Sequence, residues 1–231
     1  MVLFHAVYDL VFIAGVIPSN LFFTTPVNIW RASISWTFLL IAGAMCTFSR
    51  SNYRRAGIYL IVALGIYRVT SLIDASIEIS YGIIYCMGFC TLFAACLSSL
   101  GFSPQGYAWA AAFFIAFLLA LSVPNGAISL FGIQIARIPR AIYHTGLFSW
   151  LGFPGPDFIS ADYYPPIPYF FLYLAGWSLG LTWKREGYTH PLWRFSIAPL
   201  EAVGRYALPI YVLHQPVLLL VAHVISIAIG R

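Results

Sequence analysis

The sequence predicts an all-α fold, a polytopic transmembrane bundle of about seven helices forming one domain over residues 1–231. Composition is the first reason: 61% of residues are hydrophobic, only 8% are charged, and the mean hydropathy is +0.86, outside the soluble globular range. Patterning is the second. The apolar residues gather in windows of about 20, the length that crosses hydrocarbon, separated by polar or proline-containing connections. The expected helices cover 1–17, 29–49, 56–73, 78–98, 106–123, 166–183 and 204–229, and 124–165 is left as the one long loop.

The first segment carries His5 and Asp9 at i, i+4, which places both on one helix face. A carboxylate there raises imidazole basicity and fixes its tautomer, the pairing a general base requires in a dry site. A polar pair that only locks two helices together has the same spacing. The segment does not read as a cleaved signal, because His5 and Asp9 interrupt it and no basic leader precedes it. Arg50, Arg54 and Arg55 separate the second helix from the third. In the fourth, Cys86 and Cys90 face one way, but no His, Asp or Glu accompanies them, so no metal is expected. All four cysteines (Cys46, Cys86, Cys90 and Cys96) fall in expected spans and are read as free thiols.

In the long loop, WLGFPGPDFISADYYPPIPYFF runs from Trp150 to Phe171, and His144 upstream is read as solvated. Its aromatics suit the headgroup level, where Asp162, Tyr163 and Tyr164 would hydrogen-bond a polar acceptor such as a sugar. An aromatic belt ahead of a proline-started helix accounts for the same residues. Lys184 and Arg185 close the sixth helix and Arg194 follows. The seventh is the most informative: GRYALPIYVLHQPVLLL, Gly204 to Leu220, puts Arg205, His214, Gln215 and two prolines inside an expected span. Hydrocarbon offers them no water, so they require partner helices or a polar cavity. Tyr211 and His214 share a face, and Pro209 and Pro216 would free the carbonyls of Arg205 and Val212. Proline kinks with a carbonyl-satisfied histidine are the alternative.

The basic groups at 50–55 and 184–194 fall on one side of a seven-span bundle. The expected orientation therefore has a cytoplasmic N-terminus and an outer C-terminus, with Asp74, Glu78, Asp157 and Asp162 outside. The net charge of +5 reflects that orientation, and no nucleic-acid partner is expected. Acyl-serine elbows, phosphate loops, zinc-protease motifs and dinucleotide fingerprints are absent, as is an internal repeat of the transporter kind.

FHAVYDL (Phe4 to Leu10), RASISWTFLLIAGAMCTFSRS (Arg31 to Ser51), SYGIIYCMG (Ser80 to Gly88), GFPGPDFISADYYPPIPY (Gly152 to Tyr169) and VGRYALPIYVLHQPV (Val203 to Val217) follow one another in a familiar order. Together they resemble the bacterial membrane proteins related to the catalytic domain of heparan-alpha-glucosaminide N-acetyltransferase. The resemblance implies a membrane acyltransferase that moves an acetyl or short acyl group from cytosolic acyl-CoA to an extracytoplasmic amino sugar or glycan. It places the chain in the bacterial cytoplasmic membrane, with acetyl-CoA as donor substrate and no permanently bound cofactor. The expected partners are the lipid bilayer, acyl-CoA and a saccharide acceptor, and a homodimer is admissible. On that reading His5, Asp9 and His214 are the catalytic candidates, and Asp162, Tyr163, Tyr211 and Gln215 the substrate contacts. Arg54, Arg55 and Arg205 are the CoA contacts.

Three departures accompany the resemblance. Family members usually carry an aspartate and an Arg-Gly pair upstream of the position matched by His5, so the first helix is expected to lack its start. Tyr85 stands where relatives often place His or Gln. The loop 17–30 lacks the histidine regarded as catalytic in the animal enzymes. A transporter or flippase lined by His5, Asp9, Arg205 and His214, or a non-catalytic relative, stays open as an alternative.

Overall fold

A computed structural model describes residues 1–73, 78–189 and 196–229, so Asp74 and Arg194 lie outside the described residues. Its helices are α1 (Val2–Phe12), α2 (Thr25–Ala44), α3 (Asn52–Ile73), α4 (Ile83–Ser99), α5 (Tyr107–Ala120), α6 (Pro166–Arg185), α7 (Ala198–Arg205) and α8 (Ala207–Ala228). A hairpin of β1 (Ala127–Leu130) and β2 (Ile133–Arg137) stands between α5 and α6. Each expected span overlaps one of these helices. Four segments are long and apolar enough to cross a bilayer: Thr25–Phe48, Asn52–Leu72, Tyr107–Asn125 and Ala207–Ala228. α1 and α4 are apolar but shorter. The chain is an integral membrane protein.

Local chemistry explains where the elements depart from the sequence reading. α1 stops at Phe12, and the chain turns through Gly15, whose φ of 63° lies in the region glycine adopts without steric cost. The last expected helix is divided at Tyr206, so Arg205 ends α7 instead of sitting inside a span. Pro209 consequently falls in the first turn of α8, where backbone N–H groups have no intrahelical acceptor, and only Pro216 interrupts the interior ladder. The long loop holds the antiparallel hairpin, with a bulge between Ile128 and Ser129 and a turn built on Phe131 (φ 49°) and Gly132 (φ 83°).

The chain divides into two compact units, residues 1–35 with 189–231 and residues 36–188. In the second unit α6 is the central element, burying Leu172, Tyr173, Leu174, Ala175, Trp177 and Ser178. Lipid supplies little hydrophobic drive between helices, so close backbone approach and interhelical hydrogen bonds do the work. α6 and the C-terminal half of α2 meet through glycines. A side chain on Gly176 would collide with the carbonyl of Leu40, one on Gly43 with that of Tyr173, and one on Gly180 would lie 2.5 Å from the carbonyl oxygen of Ala44. Gly88 of α4 lies against the Leu60 side chain of α3.

Hydrogen bonds finish this core. The Tyr173 hydroxyl lies 2.6 Å from Thr91 Oγ1 and 2.9 Å from Cys46 Sγ, while Thr91 donates to the Met87 carbonyl at 2.6 Å. Ser178 donates to the Pro104 carbonyl at 2.6 Å, and Thr182 Oγ1 accepts from the Gly106 N–H at 2.7 Å. Away from α6, Ile61, Leu64, Val69 and Leu72 of α3 are exposed, the apolar face a lipid-contacting helix presents.

The second unit also has two chemically distinct ends. Tyr53 and Ser99 hydroxyls meet at 2.9 Å, and Phe48 stacks on Tyr188 at 5.3 Å. These contacts gather Arg50, Arg54, Arg55, Lys184 and Arg185 at one end. Glu78 and Asp162 stand at the other, where the Ala161 N–H donates to the Glu78 carbonyl at 2.9 Å.

The first unit holds α1, α7, α8 and the first turns of α2. Phe22, in the turn after α1, packs against Phe4, Tyr8 and Phe12, and Phe4 also meets Trp30 edge-on at 5.2 Å. That aromatic wedge holds one side of α1, while α8 packs on another.

Replacing Gly176 by Leu is expected to separate α2 from α6 and to lower the thermal midpoint in detergent by several degrees, since overpacking costs about 1–3 kcal/mol. Gly57→Leu, where an added side chain meets nothing within 4 Å, is the matched control and should leave the midpoint within error.

Candidate functional site

Most polar groups buried in this chain are paired. Among the described residues, four buried side-chain atoms have no hydrogen-bond partner: Asp9 Oδ2, His214 Nε2, Gln215 Oε1 and Asn52 Oδ1. Three of the four belong to one cluster between α1 and α8. Asp9 is 1% exposed and His214 9%. Gln215 Nε2 donates to Asp9 Oδ1 at 3.3 Å, and the His5 and His214 rings lie 4.9 Å apart at 62°. The Tyr211 ring lies 5.7 Å from that of His214.

The His214 tautomer follows from its one bond. Nδ1 is 2.6 Å from the backbone carbonyl oxygen of Tyr211, one helical turn back. A carbonyl only accepts, so Nδ1 donates to it, and in the neutral ring the lone pair then lies on Nε2. That lone pair is the buried atom without a partner. Together with the free oxygens of Asp9 and Gln215 it gives the cluster an acceptor character: it is short of N–H and O–H donors. Buried acceptors left unpaired cost about 1–3 kcal/mol each, a burden that a donor-bearing ligand relieves.

The structure brings His5, Asp9, Tyr211, His214 and Gln215 together, and it changes the expected pairing of His5 with Asp9. Among the described residues His5 and Asp9 share no hydrogen bond; Asp9 faces Gln215 and His5 lies against His214 and Phe4. The i, i+4 spacing brought both to the α8 side of α1, and the amide of Gln215 then took the carboxylate.

Three of the other candidates, Asp162, Tyr163 and Arg55, have structural partners. Asp162 Oδ2 accepts from the N–H of Ile83 at 3.3 Å, so this carboxylate caps α4 from a distant loop; Gly82, at the cap position, has no side chain to do so. The Tyr163 hydroxyl donates to the Ser149 carbonyl at 2.6 Å, and burial pushes the Tyr163 phenol above its ordinary pKa, which keeps it a donor. Arg55 is half-buried, with Nε donating to the Tyr59 hydroxyl at 3.0 Å and Nη2 to the Ala42 carbonyl at 3.2 Å, whereas Arg54 is exposed. Arg205 is exposed at the end of α7.

Sequence reasoning missed Asn52, whose Nδ2 donates to the Cys46 carbonyl at 3.1 Å while its oxygen stays unpaired. An amide at the start of an apolar helix looks like an ordinary interfacial residue. It also missed Tyr81, held at φ 60° beside Tyr85 and stacked on Phe158 at 5.9 Å. No residue pattern announces a left-handed tyrosine.

The family described as heparan-alpha-glucosaminide N-acetyltransferase, catalytic, matches residues 1–216, and the chain, a helical integral membrane protein, belongs to that family, which suggests a membrane acyltransferase-like function. No curated protein and no solved structure matches it.

Removing the remote cap has a measurable outcome. Asp162→Ala should speed amide exchange over Ile83–Met87 and cost about 1 kcal/mol, as loss of an N-terminal cap does, and Asp162→Asn should recover part of both.

Proposed function

We propose that the chain is an acyltransferase that moves an acetyl or similar short acyl group from cytosolic acyl-CoA to an amine or hydroxyl of an extracytoplasmic amino sugar or glycan, with the α1–α8 cluster as its catalytic centre. The observation that carries this reading is the Nε2 lone pair of His214, buried, unpartnered and fixed in tautomer by the Tyr211 carbonyl.

The chemistry follows from the atoms. The acceptor N–H or O–H hydrogen-bonds His214 Nε2, and its heteroatom attacks the thioester carbonyl carbon. As that bond forms, Nε2 takes the acceptor's proton; as the tetrahedral intermediate collapses, the C–S bond breaks and the same proton passes to the departing CoA thiolate. Nδ1–H stays on the Tyr211 carbonyl throughout, which keeps the ring from turning. Asp9 Oδ2 and Gln215 Oε1, both acceptors, orient the remaining donors of the acceptor's amine or hydroxyls, and Gln215 Nε2 holds the Asp9 carboxylate in place. His5, in ring contact with His214, is a further titratable group of the centre beside Asp9. On this reading Arg205, exposed at the end of α7, offers positive charge to the CoA phosphates.

The experiment is to supply purified protein in nanodiscs with acyl-labelled acetyl-CoA and a panel of amino sugars, and to analyse the products. Acylated sugar is the expected outcome; a ligand carried across the membrane chemically unchanged would replace this reading by transport. His214→Ala should lower turnover about 10²–10⁴-fold, the usual contribution of a positioned base. Gln215→Leu should act more mildly, raising the acceptor KM, because it removes one acceptor and frees the Asp9 carboxylate. Full turnover in His214→Ala removes His214 from the mechanism.

A further inference from the structure

The hairpin after α5 has a composition and an attachment that the proposed chemistry does not use. From Pro124 to Pro156 the chain has Arg137 and Arg140 and no Asp or Glu. It is also unusually apolar at its surface: Phe131 is 89% exposed, Ile133 72% and Ile135 61%. In a soluble protein such a strand edge invites aggregation. Here its position gives another reason.

The candidate span Tyr107–Asn125 ends two residues before β1 begins at Ala127. The hairpin base is tied to that span end, since the Ile138 N–H donates to the Gly126 carbonyl at 2.9 Å. The turn Arg140–Tyr143 is tied there too, because the Tyr143 hydroxyl donates to the carbonyl of Val123. Arg137 and Arg140 are therefore held at the level where a helix leaves the hydrocarbon, which is the level of the phosphates. Apolar side chains and arginines on one short ribbon at that height match the two chemistries of an interface, acyl boundary and anionic headgroup.

We infer that this hairpin is a lipid-binding element: it seats Phe131, Ile133 and Ile135 in the acyl boundary of one leaflet and uses Arg137 and Arg140 to bind anionic phospholipid headgroups. The inference is independent of the acyl-transfer reading.

The test uses the full chain, with Cys96→Ser to remove the exposed thiol and Ile133→Cys carrying a nitroxide, in nanodiscs of phosphatidylcholine alone or mixed with phosphatidylglycerol. Electron paramagnetic resonance then compares relaxation by oxygen, which enters lipid, with relaxation by a water-soluble nickel chelate. The expected result is a label more accessible to oxygen than to nickel, shifted deeper when phosphatidylglycerol is present. Arg137→Gln with Arg140→Gln should abolish that shift, and the corresponding Lys pair should retain it. Nickel access as free in nanodiscs as in detergent overturns the seating. Equal depth in both lipid mixtures overturns the headgroup contact. Spin–spin broadening at the label overturns both, because it shows a second copy covering the hairpin.

Discussion

Hydrocarbon contains no water, and that constraint governs this structure more than any single contact. A soluble protein can leave a hydroxyl or amide half-satisfied at its surface; a membrane helix must pair such groups inside the protein. Thr91, Ser178 and Thr182 obey by turning their hydroxyls to backbone carbonyls, and Tyr173 obeys by meeting both Thr91 and Cys46. Interhelical bonds of this kind contribute only about 0.6 kcal/mol each, so their value lies in avoiding an unpaired group. Against that background the α1–α8 cluster stands out. Among the described residues one other buried side-chain acceptor, Asn52 Oδ1, is unmatched and stands alone, whereas three unmatched acceptor atoms gather here.

The glycine contacts follow from the same solvent. Because lipid tails solvate leucine as well as another helix does, α2 and α6 gain by bringing their backbones together, which Gly43, Gly176 and Gly180 permit. The resulting core supports α4, whose Cys86 and Cys90 are fully buried free thiols, while its Cys96 is exposed. Its far end is fastened by loops: residues around Ser80 and Ser160 exchange hydrogen bonds, with Ser160 donating to the Ser80 carbonyl at 2.8 Å and accepting from the Ser80 N–H at 3.0 Å.

Much of this was legible in the amino acids. Long apolar windows marked the helices, and the cost of burying His5, Asp9, His214 and Gln215 marked the residues that α1 and α8 bring together, although one pair sits more than 200 positions from the other. What the sequence hid was whatever depends on distant geometry. The i, i+4 rule assigned Asp9 to His5 because it sees only one helix, while the amide that takes the carboxylate comes from α8. The division at Tyr206 was hidden although Gly204 and Pro209 flank it, because the apolar window beyond it read as one continuous span. The hairpin was hidden because Phe131 and Gly132 are a rarer turn pair than Asn-Gly.

The bond from Ile83 to Asp162 joins residues 79 positions apart. At about 5–20 residues per second, a ribosome needs roughly 4–16 seconds to reach the aspartate after completing the helix start it will cap. For that interval the first turn of α4 has neither that carboxylate nor a side chain at Gly82 to cap it. The N-terminal boundary of α4 thus depends on a residue synthesised three elements after the helix itself.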